Sequence, residues 1–484
     1  MVPSTSEWRD PRVRAALVAA AAAVVLRSAV FVWFEQAHFD ADQAITGLMA
    51  RDLAHGQGFP LYFYGQHYLL AVEAWLAAPS VLLLGTSVAA LKLPVLALNL
   101  AAVTLLLWLL VRDGGLTPGA ALIASAFVVV PPPVTASRMV EAVGCNIEPF
   151  VFLALLWLLR ARPVWFGIVL AVGTLTREFV AYGAAALAVI ALLERRDREP
   201  GALRYLGLAA IGIGAVAIAV TLLTPAASNV TSTKSAPTLA GIDPTALLPH
   251  AATLATRILP TLLGARRDPL AHFNIASARA AGHEWLAPLL LAAGAFILIR
   301  LAAVLGRRST ARQLLGAPFL WYLLLVGVQA AAAFVLISNT DDMQFRYVLL
   351  ALFLPTALVA LHLRVEPRRA LRLVTIGATT VWACASLADH AALLGEYAAH
   401  RPPNVVRELA LYLEANGIRY GEADYWTAYH VTYLTDTRVV LTPRTLIRIP
   451  AYAQLVAAHP ESAARIGPDP CPGGARIRRW YVCR

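Results

Sequence analysis

The sequence predicts an all-α polytopic membrane protein, a bundle of about eleven transmembrane helices with surface helices and a small C-terminal α/β domain. The first observation is composition: of 484 residues, 59% are hydrophobic and only 14% are charged, whereas soluble domains carry about 25% charged residues. The second is a series of apolar runs, many of them close to the roughly 20 residues that cross a bilayer. The predicted spans are 13–34, 88–111, 118–136, 148–160, 164–176, 179–193, 203–224, 285–305, 314–337, 348–363 and 371–388.

The third observation is the distribution of the formal net charge of +11. With these spans, the arginine clusters all fall on one side of the membrane, which the positive-inside rule makes the cytoplasmic side. If 69–84 crossed the membrane, every later arginine cluster would lie on the opposite side of the membrane from the basic N-terminus. We therefore place this segment as a helix at the outer interface, with Glu73 and Trp75 suited to that position. The N-terminus is then cytoplasmic and the C-terminus extracytoplasmic. Since no soluble basic face carries interleaved aromatic residues, a nucleic-acid partner is not expected.

The chain divides into a transmembrane domain (1–388) and an extracytoplasmic C-terminal domain (389–484). Surface helices are predicted at 42–54 and 69–84, and a further helical element at 243–263. In the C-terminal domain, VVRELALYLEAN (405–416) is an amphipathic helix and RVVLTP (438–443) a strand. Outside the cytoplasm, Cys471 and Cys483 are expected to form a disulfide, although two free thiols remain an alternative.

Two carboxylates, Asp40 and Asp42, directly follow the first apolar run, where ionisable groups are costly to desolvate. One is expected in the entering loop and the other in the first turn of a helix. Helix capping alone would explain both residues, because aspartate favours that position. The functional alternative is a general base, or a cation ligand, at the boundary between membrane and water, where a carboxylate could take a proton from an acceptor hydroxyl.

Residues 39–85 have the sequence FDADQAITGLMARDLAHGQGFPLYFYGQHYLLAVEAWLAAPSVLLLG. This segment resembles the GT-C superfamily of membrane glycosyltransferases, and more narrowly its protein O-mannosyltransferase and aminoarabinose transferase-like branch. The text ADYWTAYHVTYLTDTRVVLTP (423–443) also resembles the outer domain of bacterial members. In that family an acidic pair opens the first surface helix. Asp42–Gln43 stands there in this chain, so the resemblance assigns the base to Asp42, with Asp40 as the candidate for the second carboxylate. The resemblance assigns no cofactor, and a divalent cation is left open.

The resemblance also implies two roles near the predicted outer surface, and the apolar hairpin 174–182 suggests a third. Glu148 matches an acidic residue that precedes a span, and Arg346 matches a basic residue that contacts the phosphate of the donor lipid through parallel hydrogen bonds. Arg177 is expected to face the same chamber and meet an anionic group. The structural alternatives are a helix-terminal carboxylate for Glu148, snorkelling for Arg346, and neutralisation of Arg177 by Glu178. Tyr64, Gln66 and His67 are candidates for binding sugar hydroxyls, with a purely structural role for His67 as the alternative.

The residues and the resemblance together lead us to expect an inverting glycosyltransferase of a bacterial cell membrane. It would move a sugar from a polyprenyl-phosphate carrier to an extracytoplasmic hydroxyl of a protein, lipid or polysaccharide, within a site that also meets membrane lipid. A transporter or flippase would also carry intramembrane charges, but such proteins more often have duplicated halves and small outer loops. A noncatalytic glycan-binding envelope protein is the third alternative. Replacement of Asp42 by Asn separates these classes.

Overall fold

A computed structural model describes residues 10–144, 146–193, 243–267, 282–305, 316–337 and 342–484, with a few isolated positions between 208 and 219. Within these ranges, six helices are long and apolar enough to cross a membrane, which agrees with a membrane protein but does not confirm the expected count of about eleven spans. The expected span 203–224 lies outside the described residues except for single positions. The six helices are Pro11–Trp33, Val88–Arg112, Leu286–Val304, Pro318–Leu336, Arg346–Val365 and Arg369–Ala399.

The first part of the bundle contains nine helices in chain order. Several expected spans are short here, and the predicted single span 118–136 is a helix pair bent by 84°. The elements are α1 (Pro11–Trp33), α2 (Ala41–Ala54), β1 (Tyr62–Phe63), β2 (Gln66–Leu70), α3 (Val72–Leu84), α4 (Val88–Arg112), α5 (Pro118–Val129), α6 (Pro133–Met139), α7 (Glu148–Leu159), α8 (Pro163–Thr176) and α9 (Ala181–Leu193).

The second part continues with α10 (Leu247–Thr253), a π-helical segment (Leu254–Ile258) and α11 (Leu259–Leu262), which confirm the predicted helical element at 243–263. Then follow α12 (Leu286–Leu305), α13 (Pro318–Ile337), a 3₁₀ segment (Asp342–Leu352), α14 (Phe353–Val365) and α15 (Arg369–Ala399). Helix α15 continues without a break past the predicted domain boundary at 388. The last turns of this helix therefore belong to the segment predicted as the C-terminal domain (389–484).

The bend between α5 and α6 explains the arginine in the first span. Three consecutive prolines, at 131–133, interrupt the helix and leave carbonyl groups without helical donors. The buried Arg27 donates to the carbonyl of Val128 at 3.0 Å and to Asn99 Oδ1 at 2.6 Å, and His390 Nε2 lies 2.8 Å from the carbonyl of Pro131. In a membrane, each such carbonyl needs an internal partner. Arg27 thus has a structural role.

Three of the predicted cytoplasmic connections, all within the described residues, lie together at one end of the bundle. Asp113, which follows α4, lies 3.8 Å from Arg160, which follows α7. Arg364, at the end of α14, donates to the carbonyl of Gly114 at 2.5 Å. These contacts agree with the assignment of all three connections to the same side of the membrane.

The surface segment after α1 has the predicted two helices, α2 and α3, with the short antiparallel pair β1–β2 between them. Helix α2 begins at its N-cap Asp40 and packs against both α3 and the C-terminal domain. The interfacial position predicted for Glu73 is wrong: its side chain is buried and accepts a 2.6 Å hydrogen bond from the backbone N–H of Gly144. The N–H group of Gly144 thus takes the place of the water that would hydrogen-bond Glu73 at an interface.

The C-terminal domain has the predicted α/β architecture. Its five-stranded sheet has the order β4–β3–β5–β7–β6, with β3 parallel to both β4 and β5 and the other neighbours antiparallel. The predicted helix 405–416 is confirmed as α16, and Cys471 is bonded to Cys483 as expected. The elements are α16 (Val405–Ala415), β3 (Tyr420–Ala423), α17 (Tyr425–Leu434), β4 (Val440–Pro443), α18 (Pro450–Ala457), β5 (Ala463–Gly467), β6 (Ala475–Ile477) and β7 (Trp480–Cys483).

Helix α17 attaches this domain to the bundle. It packs along α2, where Gly47 leaves room for the buried ring of Tyr433. The hydroxyl of Tyr433 donates to the carbonyl of Ser87 at the start of α4, at 2.7 Å. On the other side of the contact, Arg407 forms two hydrogen bonds to Glu35, at 2.9 and 2.5 Å. The domain is therefore fixed against the end of the bundle that carries α2; this end is called the capped end below.

Candidate active site

The two aspartates occupy the positions expected from the sequence. Asp40 is the N-cap of α2, and its Oδ1 accepts a hydrogen bond from the backbone N–H of Gln43 at 3.1 Å. Asp42 lies in the first turn of the helix and is half-buried. Capping therefore accounts for Asp40, whereas it does not account for the side chain of Asp42.

Asp42 has a partner that sequence reasoning missed. Its Oδ1 accepts a 2.6 Å hydrogen bond from the hydroxyl of Tyr425, the first residue of α17 in the C-terminal domain. Among the described residues, Tyr425 is the one side chain that hydrogen-bonds this carboxylate. One oxygen of Asp42 is thus held by the C-terminal domain.

A buried group of charges lies beside Asp40 at the capped end. Glu141, in the loop between α6 and α7, accepts from Arg138 at 2.9 Å and from Asn146 at 2.7 Å. His38 Nε2 lies 3.6 Å from the same carboxylate. Burial alone would raise the pKa of Glu141, but the charges of Arg138 and His38 hold it well below its usual range. Glu141 is therefore a fixed negative charge next to the candidate site.

The same charges affect Asp40. Burial, and then the neighbouring carboxylates of Glu141 and Asp42, raise the pKa of Asp40. Burial lowers the pKa of His38. Asp40 therefore stays a predicted second carboxylate beside Asp42.

The backbone that leads into α2 is held by residues of the bundle. His38 has a left-handed conformation (φ 61°), and its carbonyl accepts from Lys92 Nζ of α4 at 2.7 Å and from the side chain of Gln43 at 3.2 Å. The Gln43 side-chain oxygen accepts in turn from the backbone N–H of Ala142 at 3.3 Å. Gln43, which replaces the second acidic residue of the GT-C pattern, therefore has a structural role here, and Lys92 was not singled out from the sequence.

The two predicted phosphate-binding arginines meet at one aromatic ring. The guanidinium of Arg177 lies 4.9 Å from the ring centre of Tyr347, and that of Arg346 lies 5.1 Å from it. Arg346 also donates to the Tyr347 hydroxyl at 3.1 Å. Its charge acts on Glu141 and helps to lower the pKa of that carboxyl. The structure thus connects Arg346 with the charged group beside Asp40 and Asp42.

Arg177 is only weakly paired with its sequence neighbour. The closest approach is 4.0 Å, and the side chain of Glu178 is 65% exposed, whereas that of Arg177 is 10% exposed. The ring of Phe179, 5.1 Å from the guanidinium, adds a second aromatic contact. Self-neutralisation therefore does not account for this arginine, and a role toward an anion remains the prediction.

Glu148 opens α7 and is buried. Both of its carboxylate oxygens are inaccessible and accept no hydrogen bond from the described residues. No described contact joins it to Asp42, so its proposed role in acceptor binding stays a prediction.

The three predicted sugar-binding residues lie around the β1–β2 turn. The hydroxyl of Tyr64 donates to Asp52 of α2 at 2.9 Å, so this group is engaged within the protein. Gln66 is half-buried at the start of β2. The backbone of His67 belongs to β2, but its side chain lies outside the described part of the structure. These assignments stay predictions.

At the capped end, Asp40 interacts with both Asp42 and Glu141, Glu141 interacts with Arg346, and Arg346 and Arg177 share the ring of Tyr347. The chemistry available there is proton acceptance at Asp42 and anion binding at two guanidinium groups. Across the described residues, no cluster of three or more histidine, cysteine, aspartate or glutamate side chains has the geometry of a metal site. The divalent cation that the sequence left open is neither supported nor tested.

Comparison with known proteins gives similarity in structure. No protein-family model and no curated protein sequence matches the chain. A crystal structure of the Archaeoglobus fulgidus oligosaccharyltransferase in the apo form is similar at 14% identity, over 95% of this chain and 70% of that one, with a TM-score of 0.51. A crystal structure of ArnT from Cupriavidus metallidurans bound to undecaprenyl phosphate is similar at 14% identity, over 99% of this chain and 98% of that one, with a TM-score of 0.46.

The comparison shows the fold. The similarity to the archaeal oligosaccharyltransferase over nearly the whole chain shows that this protein shares the fold of that enzyme. The resemblance first noted in residues 39–85 is thereby confirmed as a resemblance in fold.

Proposed function

We propose that the protein is an inverting glycosyltransferase that moves a sugar from a polyprenyl-phosphate carrier to an acceptor hydroxyl. The observation that carries the proposal is the position of Asp42, a half-buried carboxylate at the start of a surface helix, at the same end of the bundle as the two clustered arginines. A site for such a transfer needs a base for the acceptor and a cation for the departing phosphate.

The reaction at Asp42 is a single displacement. As the acceptor oxygen attacks the anomeric carbon, its proton passes to the Asp42 carboxylate. The bond between the anomeric carbon and the phosphate oxygen breaks, and the electron pair leaves with the phosphate. Attack from the face opposite the leaving group inverts the anomeric configuration.

Arg346 and Arg177 receive the charge that develops on the leaving phosphate. A guanidinium presents several N–H donors in a plane and matches phosphate oxygens in pairs. Because both guanidinium groups already pack on Tyr347, they lose little freedom when the phosphate binds. Donors that are preorganised around developing charge contribute strongly to rate.

The carrier's hydrocarbon tail would lie between membrane helices. A cavity of about 200 Å³ with an almost wholly apolar lining lies between α5, α11, α12, α14 and α15. Ala351, Leu354 and Pro355 line it, and they follow Arg346 along the same helical segment. A lipid whose phosphate meets Arg346 could therefore extend its tail toward this cavity.

The arginine distribution further leads us to propose that the capped end faces the outside of a bacterial cell membrane, with the N-terminus cytoplasmic. The acceptor would then be an extracytoplasmic hydroxyl of a protein, lipid or polysaccharide. The proposal assigns residues 1–388 to the transmembrane domain and 389–484 to the extracytoplasmic domain.

The test uses the purified full chain in detergent or nanodiscs with a panel of polyprenyl-phosphate sugars. We expect release of free polyprenyl phosphate with at least one donor, and a loss of at least about 100-fold in Asp42→Asn, since general base catalysis contributes 10²–10⁴-fold. Asp436→Asn, which removes the exposed partner of Arg51, is the matched control and should retain activity. Full activity of Asp42→Asn would overturn the mechanism, and donor transport without cleavage would instead indicate a flippase.

A further inference from the structure

The hydrogen bond between Tyr425 and Asp42 joins two segments 383 positions apart. Burial, and then the charge of Asp42, raise the pKa of Tyr425, so its hydroxyl keeps its proton at neutral pH. A protonated phenol that faces a carboxylate is a hydrogen-bond donor to it. The C-terminal domain thus supplies a fixed donor to the candidate base.

Several contacts fix the position of Tyr425. Asp424 caps α17 through the N–H and the hydroxyl of Thr427, at 3.1 and 2.6 Å. The rings of Trp426 and Tyr429 meet the Tyr425 ring edge-on, with centroids 5.2 and 5.4 Å away. The hydroxyl is therefore held by its own helix before any ligand arrives.

A second connection anchors the same corner of the domain to the surface segment. The backbone N–H of Arg448 donates to the Tyr429 hydroxyl at 2.6 Å, and its side chain donates to the carbonyl of Gly65 at 2.8 Å. Gly65 has φ +72°, and a Cβ at this position would lie 2.7 Å from Arg448 Cδ. The β1–β2 turn and α17 therefore keep a constant relative position next to Asp42.

Other ionisable side chains surround the Tyr425–Asp42 pair, and the charge of Arg448 acts on Tyr425 itself. Lys92 of α4 bonds a backbone carbonyl, Glu73 of α3 bonds a backbone N–H, and His430 of α17 interacts with the charges of the Glu35–Arg407 pair. Asp40 is the charge that couples directly to Asp42. Removal of the Tyr425 hydroxyl therefore changes the hydrogen bonding of the Asp42 carboxylate directly.

We propose that Tyr425 is a positioning residue for Asp42, so that the C-terminal domain completes the active site. The inference depends on the proposed function, in which Asp42 accepts the proton. With Oδ1 held by Tyr425, the plane of the carboxylate is fixed and Oδ2 points to the acceptor. Small displacements of a reacting group can cost about 100-fold in rate, which is the reason for a dedicated donor.

The test compares Tyr425→Phe with Tyr433→Phe in the full chain. Tyr433 lies on the same helix and also donates to the bundle, to the Ser87 carbonyl, but does not contact Asp42. For Tyr425→Phe we expect kcat to fall about 10- to 100-fold, with little change in KM for the donor. The acidic limb of the pH–rate profile should move to higher pH, because a hydrogen bond to a carboxylate favours its charged form.

Tyr433→Phe should lower thermal stability and leave the acidic limb in place. The inference is wrong, and Tyr425 has only a docking role, if both variants change kcat and the acidic limb of the pH–rate profile alike. The same follows if Tyr425→Phe has the kcat and the acidic limb of the wild type. Incorporation of 3-fluorotyrosine at position 425 keeps the shape and strengthens the donor. It should move the limb in the opposite direction, and a limb that does not respond also contradicts the inference.

A readout without turnover separates this inference from the proposed function. The infrared band of the protonated Asp42 carboxyl is identified by its absence in Asp42→Asn. The pH at which the band disappears should rise in Tyr425→Phe and stay constant in Tyr433→Phe; an equal response overturns the inference. A wild-type protein that releases no carrier from any donor would overturn the proposed function, while this band would still report on the hydrogen bond.

Discussion

Arg177 and Arg346 lie against the same ring, that of Tyr347, although they are 169 positions apart in the chain. Two like charges at one ring repel each other unless an anion lies nearby. Glu141 supplies part of that charge, since its carboxyl interacts with Arg346. The pair is the anion site proposed above, and the donor phosphate is its proposed ligand.

The first prediction concerns the geometry of this anion site. Arg346→Lys keeps the charge but loses the planar pair of donors. We expect catalytic efficiency with a polyprenyl-phosphate sugar to fall about 10- to 100-fold, as for the loss of about 1.4 to 2.7 kcal/mol of transition-state stabilisation. Initial rates of carrier release measure it. Arg444→Lys, whose side chain pairs with Glu422 at an exposed position, is the control, and equal rates in both variants would remove Arg346 from the site.

The second prediction concerns the buried carboxylate of Glu141. Glu141→Gln removes the negative charge that faces Arg138 and His38, and breaking a buried pair in this way costs about 3–5 kcal/mol. Thermal unfolding of the purified protein should show a clear decrease in Tm. Glu414→Gln, which removes the partner of the 65% exposed Arg438, should cost less than about 1 kcal/mol. Similar small shifts in both variants would show that Glu141 is not needed for stability.

The third prediction concerns pH and the attachment of the C-terminal domain. Burial would raise the pKa of Glu35, but the hydrogen bonds and charge of Arg407 outweigh it, so the pKa is lowered from its usual 4.5. A lowered pKa in the folded state stabilises the fold above pH 4.5, and this contribution is lost as pH falls below that value. Glu35→Gln should therefore lower the free energy of unfolding at pH 7 by about 1 kcal/mol, with a corresponding decrease in Tm. Near pH 3 the substitution should change Tm little. A Tm difference that does not change with pH would contradict this account.

The fourth prediction concerns the close approach of α2 and α17. A Cβ at Gly47 would lie 2.3 Å from the ring of Tyr433, which is 1% exposed and has no space to move. Gly47→Ala should cost about 1–3 kcal/mol, as for overpacking of a core, and lower the Tm. Gly377→Ala in α15, where nothing lies within 4 Å of the new Cβ, is the control and should be neutral or stabilising. A Gly47→Ala protein as stable as the control would mean that the two helices do not pack as described.

The prediction of α2 and of the C-terminal domain shows how far local sequence signals extend. Asp40 as a cap, Gly56 and Gly58 after the helix, and the amphipathic pattern of 405–416 are local features, and the structure has helices at both places. Glu73 of α3 was expected at the interface but is buried, because its partner is the backbone N–H of Gly144, 71 positions away. The bend at 131–133 was also missed, although three prolines in a row signal it.

The sequence by itself determined that the chain is a membrane protein, which segments are apolar, and which charged residues stand at their ends, because hydropathy and helix signals depend on neighbouring residues. Only the tertiary structure decided which of these charges meet. The contacts of Asp42 with Tyr425, of Lys92 with the His38 carbonyl, and of two arginines with Tyr347 join distant segments. Such contacts depend on how helices pack and bend, and a single sequence carries no periodic signal for them.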